Sequence, residues 1–485
     1  MDNGAEDDFM FKRIQKRWRA PFGYRGILIV AFPLILSSGS WALQNFVDRM
    51  FLSWYSSDAI AAAMPAGILN FTLMSFFIGT AGYVTTFVAH YYGAKRPDRI
   101  GAVVWQGVYL SVTGGIIIML TMPFADLFFS SVGHPAGVAR CEAQYYFWLC
   151  LGAVPAITAS ALSGFFSGLG RTWPVMWINM TQTAINLIGD YILIFGHFGF
   201  PEMGIRGAAI ATSLSAFFSC TMFSILIFTG KNNDKYRTRD NWRFNRKLIM
   251  RIIRFGVPSG TQFCLDTAGF AAFLIFVGSL GSIPLAASNI SFSINTLAFM
   301  PMIGVGIAVS ILVGQNMGAG NTRSAAYAAW SGYHITFIYM LLIAVMYMAA
   351  PRVLLGPFLS AGSYESAGEI MNVAAVLLRF VAVYTIFDSM NVIFGSALKG
   401  AGDTKFVMIT NVLLTSCVLV IPSFIMIRYF NVSIFSAWFV AAAYISILGV
   451  VFLLRFMSGR WKTMRVIEES HLPQGGSHPE IPIIE

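Results

Sequence analysis

Residues 267–322 carry no charged side chain, and that run restricts the fold more than any other feature. A hydrocarbon layer about 30 Å thick is crossed by about 20 helical residues, so the run holds two crossings. Gly278, Gly281 and Pro284 mark the turn between them. The same reading of uncharged runs predicts twelve spans: 26–47, 59–92, 100–124, 143–168, 172–197, 205–230, 252–280, 283–316, 324–350, 368–396, 406–428 and 431–455. Only 11% of the 485 residues are charged, against about 25% in soluble domains, which excludes a water-exposed globule. The 43 Phe and 24 Met need lipid or protein to cover them. The expected class is an all-α integral membrane protein.

Basic residues orient the spans. With both termini placed inside, 26 of the 32 Lys and Arg fall in inner segments and 5 in outer ones, and Arg379 lies within a span. Such asymmetry marks the cytoplasmic side. It predicts a multi-pass protein of the plasma or inner membrane with both ends cytoplasmic, and a net charge of +10 that serves anionic lipid rather than nucleic acid. The N-terminus (MDNGAEDDF, then KRIQKRWR) lacks the apolar core and cleavage site of a secretory signal, so the first apolar segment is expected to remain as a span. The five cysteines, Cys141, Cys150, Cys220, Cys264 and Cys417, are scattered without the spacing of a disulfide framework or zinc site.

The chain repeats itself. FPLILS around Pro33 aligns with VPSGTQ around Pro258 at a shift of 225, and HYYGAKRPDR from His90 aligns with QNMGAGNTRS from Gln315 at the same shift. SGLGRTWPVMWIN from Ser167 aligns with KGAGDTKFVMITN from Lys399 at a shift of 232. Shared apolar composition does not place Gly168/Gly400, Gly170/Gly402, Thr172/Thr404 and Met176/Met408 in register. The expected architecture is two pseudo-symmetric six-helix lobes, 26–230 and 252–456, joined by a basic cytoplasmic linker, 231–251. A cytoplasmic N-terminal segment, 1–25, and a polar tail, 457–485, flank them. Repeated bundles of this kind occur in transporters that alternate access around a midplane cavity.

GLGRT, KGAGDT, YYGAKR, LAFMPMIGVGIAVSILVGQNMGAG, NLIGDYILIFGHFGFPEMGIRGAAIAT and IFDSMNVIFGSALKGAGDT occur in this chain. At these residues it resembles the multidrug and toxic compound extrusion (MATE) family over roughly 20–460. The resemblance implies an antiporter that exports organic, often cationic, compounds or drugs in exchange for Na⁺ or H⁺. It implies neither a further cofactor nor a resident metal beyond Na⁺ at Asp48 and Asp190.

Carboxylates inside a bilayer cost roughly 2.5–3.5 kcal/mol each on insertion scales and usually face a cavity or partner. Four stand out: Asp48, Asp190, Asp266 and Asp388. Counted at about 1.5 Å per residue from the inner edge, Asp48 and Asp190 reach the same outer level. Asn186 lies one turn below Asp190 on the same face, and Thr212 enters to a similar depth. Two neighbouring carboxylates in low dielectric share a proton or hold a cation. The resemblance assigns the positions of Asp48, Asn186, Asp190 and Thr212 to an N-lobe cation site; Gln44 stands where relatives often carry tyrosine. The competing reading makes Asp48 an interfacial cap beside Arg49. Asp266 and Asp388 match each other in depth and form a second, lower-ranked candidate, the alternative being a pair of buried acids neutralised by partners such as Asn391, or by Arg379, which Glu369 could also meet. Pro33, which has no amide donor, is the expected hinge.

His90 replaces a glutamine common in the family and either titrates near neutrality or caps its helix. Gly79, Gly82, Gly304 and Gly306 read as close-packing points more than hinges. A flippase for lipid-linked precursors is the runner-up, and it lacks cavity cations here apart from Arg379. The patterns HExxH, GxSxG and the P-loop are absent, so an enzyme is not expected. A monomer is the expected state.

Overall fold

The computed structural model describes residues 12, 15–360, 367–430 and 432–468. Parts of the expected N-terminal segment 1–25 and of the tail 457–485 lie outside the described residues.

Twelve helical runs long enough to cross a membrane occur among the described residues. They are α1 (Tyr24–Tyr55), α2 (Ser57–Gly93), α3 (Pro97–Ser131), α4 (Ala136–Leu151 with Ala153–Gly168), α5 (Trp173–Phe195) and α6 (Ile205–Ile227). The rest are α7 (Arg246–Gly278), α8 (Ser282–Gly318), α9 (Thr322–Ala349), α10 (Ala367–Ala401), α11 (Thr404–Phe430) and α12 (Ile434–Met457). Ten are straightforwardly apolar, and α4 becomes one span when its two segments, bent by 46°, are joined. The twelfth, α5, is long enough but more polar, because Asn179, Thr181, Gln182, Thr183, Asn186 and Asp190 all lie on it. Its polarity is a first structural sign of where a site lies.

Several expected boundaries shift outward. Helix α1 continues past Asp48 and Arg49 to Tyr55, so Asp48 stands inside a helix and the capping alternative does not hold. The turn predicted at Gly278–Pro284 is present: α7 ends at Gly278, Gly281 adopts φ +120° and α8 begins at Ser282.

The repeat reappears as matched contacts. The chain divides into two compact units, residues 36–267 and residues 1–35 with 268–485. In the first unit a Cβ on Gly168 would lie 2.6 Å from the Thr85 carbonyl oxygen, and one on Gly107 would lie 2.4 Å from Val84. In the second, a Cβ on Gly400 would lie 2.4 Å from the Ser310 carbonyl oxygen, and one on Gly332 would lie 2.3 Å from Val309. The partners Thr85/Ser310 and Val84/Val309 are themselves 225 positions apart. Each GxG motif ends its helix in the same way, with Gly170 and Gly402 at φ +78° and +101°. Both division points fall inside a helix, α1 after Ile35 and α7 after Thr267. The packing explains why: Gly79 meets Gly260 of α7 in one unit, and the matched Gly304 meets Ile35 of α1 in the other. Gly79 and Gly304 are therefore close-approach positions.

The segment after α6 is folded. Gly230–Tyr236 is helical, with Tyr236 buried against Phe165. The chain then lies along α3: Trp105 Nε1 donates to the Thr238 carbonyl at 2.7 Å and Asn241 Nδ2 to the Asp98 carbonyl at 2.8 Å. Gln106 Nε2 donates to the Arg243 carbonyl at 3.2 Å while its Oε1 accepts from the Asn245 amide, and the Tyr109 hydroxyl donates to the Trp242 carbonyl. Irregular backbone near lipid must have its polar groups satisfied, and these side chains do so.

Candidate ion-coupling site

The site is built by three helices of residues 36–267. Gln44 and Asp48 share one face of α1, and Asn186 and Asp190 share one face of α5, each pair four residues apart. Thr212 projects from α6. Glycine brings α5 and α6 together: a Cβ on Gly207 would lie 2.5 Å from the Leu193 carbonyl oxygen, and one on Gly189 would lie 3.1 Å from Ala211.

Asn186 is the hub. With its amide turned so that both ends are satisfied, Nδ2 donates to Asp48 Oδ1 at 3.0 Å and its carbonyl oxygen accepts from the Thr212 hydroxyl at 3.3 Å. Gln44, 8% exposed, places its amide 3.1 Å from the same Asn186 group. Asn186 and Asp190 are fully buried. Asp48 and Asp190 face each other at interaction distance. Neither Asp190 oxygen receives a hydrogen bond from a protein donor, and the facing carboxylate is itself an acceptor. Buried carboxylate oxygens left in this way need a proton or a cation between them. Two carboxylates and a hydroxyl are hard oxygen ligands suited to a small hard cation, with the Asn186 amide holding Asp48 in place.

The four N-lobe residues singled out from sequence, Asp48, Asn186, Asp190 and Thr212, are thus brought together. Two further residues join them. Gln44 stands out in the sequence only as a departure from the family. Tyr145 of α4 is buried close enough to both carboxylates to feel their charge, and nothing in CEAQYYFWLC distinguishes it from Tyr146. The repeat does not extend to this cluster. The position matched to Asp48 is Phe273, buried edge-on to Trp438, and those matched to Asn186 and Asp190 are Val418 and Pro422.

Asp266 and Asp388 fall in different units and have separate partners. Gln262 Nε2 donates to Asp266 Oδ2 at 3.4 Å, one turn away on α7. Asn391 Nδ2 donates to Asp388 Oδ1 at 3.0 Å, three residues along α10. Pro33 is buried within an uninterrupted α1. His90 is 2% exposed near the end of α2. Asn70 of α2 is buried and donates its amide to Cys150 Sγ at 3.5 Å.

A family model described as MatE matches residues 33–192 and 258–426, one copy in each half. The chain belongs to the MATE family. The "Probable multidrug resistance protein NorM" of Thermotoga maritima is 24% identical over 475 residues, covering 96% of this chain and 99% of that one. A protein of the same name from Brucella suis is 26% identical over 388 residues, covering 79% and 82%. Among solved structures, the outward-facing conformation of a multidrug resistance MATE transporter matches with a TM-score of 0.82 at 20% identity, over 93% of this chain and 98% of that one. The eukaryotic MATE transporter AtDTX14 matches with a TM-score of 0.80 at 18% identity, over 90% and 96%. This chain therefore has the MATE fold and is a multi-pass membrane transporter rather than an enzyme.

Proposed function

We propose that this MATE transporter exports organic cations and drugs in exchange for Na⁺ or H⁺, by alternating access, with the coupling ion held by Asp48, Asn186, Asp190 and Thr212. The observation that carries this reading is the facing pair Asp48–Asp190, in which Asp190 is fully buried and both its oxygens lack a protein donor. A cation or proton satisfies the pair, and its departure leaves two facing acceptors that repel. Relief comes from moving α1 against α5, and Asn186 transmits that movement because it bonds both Asp48 and Thr212. Pro33, on the same helix as Asp48, removes one backbone hydrogen bond and lowers the cost of bending there.

No nucleotide-binding pattern occurs in the sequence, so the energy comes from the ion gradient. The names of the NorM relatives support drug efflux. The 26-to-5 distribution of basic residues supports cytoplasmic termini in the plasma or inner membrane, and one chain with both repeats supports a working monomer. Asp266 and Asp388 rank second for coupling because each already accepts a hydrogen bond from an amide.

The test is efflux of a fluorescent organic cation from proteoliposomes under separately imposed Na⁺ and H⁺ gradients. One gradient should drive dye movement and the other should not. Dye that moves under neither gradient, while the reconstituted protein remains folded, contradicts the reading.

A further inference from the structure

We infer that residues 242–247 form an anionic-phospholipid site, in which Trp242 and Phe244 enter the inner leaflet and Arg243, Arg246 and Lys247 take the headgroup phosphate. The inference is independent of the coupling site and rests on the cytoplasmic placement of residues 231–251.

Residues 242–244 lie against Gln106 and Tyr109, six to nine residues (about 9–14 Å) into the uncharged stretch of α3 that opens at 100, so the segment leading into α7 runs along the inner edge of the membrane. Asn245 caps that helix, its Oδ1 accepting from the Leu248 amide at 3.1 Å, so Arg246 and Lys247 open the helix at the headgroup level.

Trp242 is 58% and Phe244 63% exposed, and the backbone that presents them is fixed against α3 by Gln106 and Tyr109. Two exposed aromatic rings held in place are costly in water and favoured at a membrane interface. Arg243, Arg246 and Lys247 are exposed beside them. Rigid rings next to several cations, at the level of lipid phosphates, match an anionic phospholipid in both charge and polarity.

The test uses the full chain in bilayers doped with brominated phosphatidylglycerol or brominated phosphatidylcholine, with quenching of tryptophan fluorescence as the readout. Wild type should show excess quenching by phosphatidylglycerol, and Trp242→Phe should remove that excess. Each substitution among Arg243→Gln, Arg246→Gln and Lys247→Gln should weaken the preference roughly fivefold, the equivalent of about 1 kcal/mol per charge. Soluble inorganic phosphate should leave the excess unchanged. Equal quenching by the two lipids in wild type overturns the inference without any variant having to fold. An excess that survives Trp242→Phe, or that inorganic phosphate abolishes, also overturns it.

Discussion

At the scale of single residues, coupling depends on which polar atoms lack partners. Asp190 is fully buried with both oxygens free of protein donors, so its charge is poorly supported unless an ion or proton is present. Asp190→Asn supplies an amide that can donate to Asp48, and it should abolish gradient-coupled efflux while leaving thermal stability equal or higher. A melting curve beside the transport assay checks both. Asn186→Leu removes the donor to Asp48 and the acceptor for Thr212, and should lower stability by about 1–3 kcal/mol as well as coupling. The acids, Asn186 and Thr212 were legible in sequence because charge and depth can be counted along a span. Tyr145 was not, since which of two adjacent tyrosines faces the acids is decided by the roll of α4 against its neighbours. That roll is a property of packing rather than of local pattern.

At the scale of elements, glycine contacts set how closely helices approach. The pair α5 and α6 carries three of the four residues proposed to hold the ion, and Gly207 lets the two backbones nearly touch. Gly207→Ala places a methyl group 2.5 Å from the Leu193 carbonyl oxygen and must separate the helices. It should cost about 1–3 kcal/mol and reduce transport, whereas Gly26→Ala, with nothing within 4 Å, should do neither. Differential scanning of the two variants checks this. Uncharged runs predicted all twelve helices, including α5, because they register the lack of charge and tolerate the polar residues that make α5 less apolar. The same approach set the end of α1 too early, since Asp48 and Arg49 resemble a water boundary when they are read without their partners.

At the scale of the whole molecule, two copies of one packing plan have kept their scaffold and diverged in their polar residues. The matched contacts Gly168–Thr85 and Gly400–Ser310 belong to that scaffold. Gly168→Ala and Gly400→Ala should therefore destabilise by similar amounts, and a large difference between their melting temperatures would show that the repeat is not a shared packing plan. The repeat was legible because turns and tight crossings demand glycine at fixed positions. The division after Ile35 and Thr267 was not, because the first part of each repeat's leading helix packs with the other half of the sequence, and no local pattern records a long-range partner. The polar cluster exists in one copy only, since Phe273, Val418 and Pro422 occupy the matched positions.

That asymmetry places the central claim on one acid. The most direct measurement is efflux under the driving gradient for Asp190→Asn and Asp388→Asn side by side, with equal amounts of folded protein in the vesicles. The account predicts that Asp190→Asn falls to background while Asp388→Asn still responds to the gradient. Coupling that survives Asp190→Asn and disappears in Asp388→Asn would contradict it, and would move the site to α10.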